Sequence, residues 1–93
     1  MNQIRRIMCC CGNGVGSSLM MQMTVEEALD ILGIYDIEVT FGLMSEAIYG
    51  RADLFVVSDQ NLTALGDLPK LGLEDLMDAD LAAEALKPLL GIR

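Results

Sequence analysis

The apolar residues of this chain fall into two rhythms. Arg5-Arg6-Ile7-Met8-Cys9-Cys10 is apolar at every position once the arginines are passed. That pattern predicts a short strand buried on both faces. Leu54-Phe55-Val56-Val57, entered through Ala52-Asp53, predicts a second strand of the same kind. Between them, Met21, Val25, Ala28, Leu29 and Leu32 recur at helical spacing, with Gln22, Glu26 and Asp30 on another face. This predicts a helix from about Ser17 to Leu32, ended by Gly33. Asp36 to Phe41 alternates Ile37, Val39 and Phe41 with Glu38 and Thr40, as a half-buried outer strand does.

Shorter elements complete the order. Met44 to Tyr49 predicts a helical turn closed by Gly50, and Asp59 to Leu65 a short helix capped by Ser58 or Asp59. Pro69 resets the chain before a brief strand, Lys70-Leu71-Gly72-Leu73. Asp78 is placed to cap a last helix from Ala79 towards Leu86, with Pro88 near its end. Strands alternating with helices mean an α/β fold with a parallel sheet and helices on both faces. A buried first strand and a half-buried second fit a four-stranded flavodoxin-like sheet in the order 2-1-3-4. Ligands of such sheets sit beyond the carboxyl ends of the strands, where the first and third diverge, and here that is the loop Cys11–Ser18.

Composition narrows the chemistry. The chain has 93 residues, so residues 1–93 are expected to form a single domain. Its net charge is −8, from 14 acidic and 6 basic residues, which argues against nucleic acid and against an anionic membrane surface. No stretch reaches the roughly 18 apolar residues of a membrane span, and a cytoplasmic location with reduced thiols is expected. There is no histidine. That removes the commonest general base and metal ligand, and no metal or other cofactor is expected. The only cysteines, Cys9, Cys10 and Cys11, stand in an unbroken run, which spaces out neither a disulfide framework nor a zinc site.

One stretch gathers groups that can do chemistry: Cys11-Gly12-Asn13-Gly14-Val15-Gly16-Ser17-Ser18. A thiol at the end of a buried strand is followed by a glycine-rich turn and the start of a helix. Successive backbone N–H groups in such a turn form an anion cradle. The helix start adds free donors and a positive dipole end, and Ser17 and Ser18 add hydroxyls. The same field is expected to favour the thiolate of Cys11, a nucleophile that needs neither histidine nor metal. The plain alternative is that Cys11 is a buried structural cysteine, which the glycines and serines argue against. For Cys9 and Cys10 strand packing is the better reading.

The run Cys11-Gly12-Asn13-Gly14-x-Gly16-Ser17-Ser18-Leu19-Met20-Met21-x-Met23-x-Val25-Glu26 resembles the phosphorylation loop and first helix of enzyme IIB subunits of the bacterial phosphoenolpyruvate-dependent sugar phosphotransferase system. Within them it is most similar to the ascorbate and galactitol branch. The likeness covers residues 4–32 and extends to the strand after Ala52-Asp53. It implies that Cys11 takes a phosphoryl group from a phosphohistidine of enzyme IIA. The group then passes to a sugar bound by the membrane subunit, enzyme IIC. Gly12, Asn13, Gly14, Val15, Gly16, Ser17 and Ser18 would supply the phosphate donors. Glu74-Asp75 departs from the ascorbate branch, where that segment tends to be basic or neutral.

Other functions meet obstacles in the residues. A low-molecular-weight tyrosine phosphatase of this fold needs Cys-x5-Arg, its arginine clamping the phosphoryl oxygens, and Ser17 stands there instead. An arsenate reductase of this fold needs the same arginine. A regulatory enzyme IIB-like sensing module would sit in a longer chain, and a degenerate one would lack the cysteine. A redox role lacks Cys-x-x-Cys spacing. Met21 reads as core, and one of Met20 and Met23 as exposed. Asp59 reads as a helix cap rather than an acid.

Overall fold

The computed structural model describes residues 4–11 and 15–91, and of residues 15–18 the backbone alone. Four strands form one parallel sheet: β1 (Arg6–Cys11), β2 (Glu38–Leu43), β3 (Leu54–Ser58) and β4 (Lys70–Leu73), in the order β2-β1-β3-β4. This is the expected topology. The buried apolar strands β1 and β3 take the centre, because only there are both faces covered. Two α-helices, α1 (Val15–Ile31) and α2 (Ala79–Leu89), lie together on one face. There Ile7, Cys9 and Cys11 of β1 meet Met21, Val25, Ala28 and Leu29 of α1 and Ala82, Ala83 and Leu86 of α2. The opposite face holds Met8, Cys10, Phe55 and Val57.

The expected helical turn and short helix cover that second face, in 3₁₀ form, as Met44–Glu46 and Asp59–Leu65. Leu65 is buried, and Met44, Ala47 and Leu62 pack partly against the same cluster. Leu62 and Leu65 are three residues apart, the period of a 3₁₀ helix, so a segment of this length buries both in that form. Gly72 of β4 permits the close approach. A Cβ there would stand 2.7 Å from Leu62 Cδ1 and 3.0 Å from Asp59 Cα.

Helix boundaries follow from local chemistry. Gly33 adopts φ +75, and the amides of Gly33 and Ile34 donate to Asp30 and Leu29, the paired bonds of a Schellman end. Asp78 caps α2 as expected, its Oδ1 accepting from the Leu81 amide at 3.0 Å. Thr24, buried in α1, donates to the Leu76 carbonyl at 2.6 Å and fastens the helix to the segment after β4. The second strand runs two residues later than the alternation predicted, 38–43 rather than 36–41. At the amino ends of the strands, Asp53 Oδ2 accepts from the amides of Arg5 and Arg6 at 2.8 and 3.1 Å. Arg5 and Arg6 pair with Asp36 and Glu38 at 3.0 and 2.8 Å.

Candidate functional site

Strand pairing makes an opening at the carboxyl edge of the sheet. β1 pairs with β2 along its whole length, ending at Cys11 opposite Leu43. β3 pairs with β4 to its own end, Ser58 opposite Leu73. Between β1 and β3, however, the pairing stops at Cys9 opposite Val56. Among the described residues, no pairing joins the two halves of the sheet beyond that point. The crossover from β1 leads to β2 on one side, while β3 leads to β4 on the other. This is the switch point at which open α/β sheets bind ligands.

Cys11 stands on one lip of that opening. It is the last residue of β1, a free thiol with 6 % of its surface exposed. Strand alternation turns Cys9 and Cys11 to the helical face and Cys10 to the 3₁₀ face. The two other thiols are unsuited to act as nucleophiles. Burial pushes Cys9 up to about 12, with Cys10 and Glu26 adding to the effect. Burial likewise pushes Cys10 up to about 11, helped by Glu46. Both remain protonated at neutral pH, and a protonated thiol is a poor nucleophile.

The rest of the expected cradle is placed in part. Gly12, Asn13 and Gly14 lie outside the described residues. The helix α1 starts at Val15, two residues before the expected Ser17, so Val15 and Gly16 join Ser17 and Ser18 in its first turn. The glycine-rich composition hid this start. A helix's first turn keeps its N–H groups free of intrahelical partners, so glycine and serine are well tolerated there. No acidic side chain lies in that turn to offset the positive end of the helix dipole.

Neighbouring residues fall on both sides of their expected roles. Met21 is fully buried, whereas Met20 and Met23 are both exposed, at 42 % and 63 %. Ser58 takes the cap position of the 3₁₀ segment after β3, but its side chain makes no cap bond; Asp59 lies inside that segment. A cleft of about 390 Å³ lies at the other edge of the sheet, lined by Arg5, Arg6, Glu38, Arg51 and Asp53. Its arginines are committed to carboxylates, and it takes no part in the site.

The result is a small parallel α/β fold with a free thiol at its switch point and a helix that starts four residues further on. Comparison with known proteins names the family. Residues 6–87 match the family model of the phosphotransferase system's lactose/cellobiose-specific IIB subunit, and the chain belongs to that family. It is therefore a phosphotransferase component of sugar uptake, of a kind that works with IIA and IIC partners. Its fold is similar to that of the lactose-specific IIB component domain of the phosphoenolpyruvate:carbohydrate phosphotransferase system from Streptococcus pneumoniae. The TM-score is 0.59 at 16 % identity, over 96 % of this chain and 97 % of that one. A search of curated proteins returned no sequence match. The ascorbate and galactitol branch expected from the loop is not supported by these matches, which lie with the lactose/cellobiose type. No helix among the described residues is long and apolar enough to cross a membrane.

Proposed function

We propose that Cys11 is the phosphoryl carrier of this subunit, and that residues 1–93 act as a single cytoplasmic carrier domain. One observation carries the reading: of three consecutive thiols, Cys11 alone ends a central strand, at the carboxyl edge of the sheet and four residues before α1 begins. In the forward step the Cys11 thiolate attacks the phosphorus of a phosphohistidine on enzyme IIA. The S–P bond forms, the P–N bond breaks, and the imidazole leaves. The sugar hydroxyl held by enzyme IIC then displaces the thiolate and loses its proton to solvent or base. Backbone amides of Gly12 to Ser18 and the hydroxyls of Ser17 and Ser18 hold the phosphoryl oxygens throughout. The missing arginine six residues after Cys11 sets this site apart from a hydrolytic one.

Two features bear differently on the sugar. The loop resembles the ascorbate and galactitol branch, whereas the family model over residues 6–87 is the lactose/cellobiose-specific one. The longer match decides which donor to try first, an enzyme IIA of the lactose/cellobiose kind. The test supplies phosphoenolpyruvate, enzyme I, the phosphocarrier protein and that enzyme IIA, then reads intact mass. One added phosphoryl group is expected in the wild type and in Cys9→Ala and Cys10→Ala, and none in Cys11→Ser. Label that survives Cys11→Ser would sink the assignment. An ascorbate-type enzyme IIA that labels the protein faster than the lactose/cellobiose donor would move it to the other branch.

A further inference from the structure

Ser58 is the residue on the far lip of the opening. Cys9 pairs with Val56, so two residues on, Cys11 and Ser58 stand level on neighbouring strands. They also face the same way. Leu54 and Val56 of β3 belong to the helical-face cluster with Cys9 and Cys11, and Val57 to the other, so alternation turns Ser58 towards the Cys11 side. Among the described residues, no β1–β3 pairing extends to that level.

Among the described residues, the hydroxyl of Ser58 has no competing partner. It makes no cap bond to the 3₁₀ segment it precedes. Ser58 is half-buried, yet no side-chain oxygen or nitrogen among the described residues is sealed from solvent without a partner. Its Oγ is therefore reachable from the opening. A phosphoryl group on a thiol at one lip projects its oxygens into the opening, where a hydroxyl at the other lip can donate an O–H···O bond.

Resting on the assignment of Cys11 as carrier, we propose that Ser58 is a phosphoryl-binding residue, donating its hydroxyl hydrogen to an oxygen of the phosphoryl group on Cys11. It is a donor on the side of the group away from the loop and helix start. A serine suits a carrier: it supplies a hydrogen bond without the acid or base that would activate water against the S–P bond. Gly72 fixes its place, because the 3₁₀ segment that begins beside Ser58 can lie against β4 only where there is no Cβ.

The experiment loads wild type, Ser58→Ala, Ser58→Thr and Cys11→Ser from phosphorylated enzyme IIA of the lactose/cellobiose kind and follows intact mass with time. A hydrogen bond to a charged group is worth roughly tenfold or more in a rate or equilibrium. Ser58→Ala is expected to load Cys11 about tenfold more slowly, or to hold about tenfold less phosphoryl group against the donor, while its unfolding midpoint stays near that of the wild type. Ser58→Thr, which keeps the hydroxyl, is expected to restore most of the loading. Wild-type kinetics in Ser58→Ala with label confined to Cys11 overturn the role of Ser58 and leave the carrier assignment standing. Equal loss in the alanine and threonine variants overturns it too, since that is a packing effect. Labelled Cys11→Ser overturns the carrier assignment itself, and the role of Ser58 with it.

Discussion

Alkali should weaken this protein through the two thiols it does not use. In the unfolded chain Cys9 and Cys10 ionise near the ordinary 9.0; in the folded protein they hold their protons to about 12 and about 11. Between those limits the unfolded state has lost both protons and the folded state has kept them. Stability therefore falls as pH rises. The contribution is fully present below pH 9 and disappears as pH passes the folded values. Each thiol contributes a slope of about 1.4 kcal/mol per pH unit, and the pair about 2.7. A small domain holds only about 5–15 kcal/mol in total, so two pH units in this window consume a large part of it. Urea unfolding followed by circular dichroism, from about pH 8 to about pH 10, measures the slope. The double variant Cys9→Ala/Cys10→Ala is the reference. It retains every other ionisable group of the chain, so the difference between the two proteins belongs to these two thiols. The wild type should lose stability more steeply with pH above 9.0 than the variant. Parallel slopes would refute the reasoning, whatever the offset between the two proteins.

Two further outcomes test the packing that holds the site. Gly72→Ala places a Cβ against Leu62 and the Asp59 backbone. It should cost about 1–3 kcal/mol by denaturant titration and slow phosphoryl loading by shifting the segment next to Ser58. Thr24→Val removes the only described donor to the Leu76 carbonyl. It should cost about 1–3 kcal/mol in the same titration, with Cys11 still loaded in intact-mass measurements.

The order of the strands was legible because the sequence writes it in composition. β1 and β3 are continuous apolar runs, and only a central parallel strand needs both faces apolar. The end of α1 was legible because Gly33 is the residue that a left-handed helix end requires. Its start was legible to within two residues, since Val15 and Gly16 before the expected Ser17 suit a loop and a first helical turn equally well. The layer over Cys10 and Phe55 was legible as helical, but not its 3₁₀ form, because Leu62 and Leu65, at a spacing of three, fit an α-helix and a 3₁₀ helix alike. At the site, Cys11 was marked by its neighbours along the chain. Ser58 was marked only as a cap, because what brings it level with Cys11 is register between β1 and β3, which no stretch of local sequence contains.

The alternation of the cysteine run has a consequence for oxidation. In a strand, Cys9 and Cys11 lie about 6.6 Å apart with parallel Cβ directions, where a disulfide asks for Cβ atoms about 3.8 Å apart. Cys10, though adjacent, is on the opposite side of the sheet. The backbone acts as an insulating partition between neighbours that in a flexible peptide could reach one another. A sulfenic acid formed on Cys11 thus has no intramolecular thiol to resolve it while the strand holds. Its repair must come from a soluble thiol that reaches Cys11 at the carboxyl edge of the sheet.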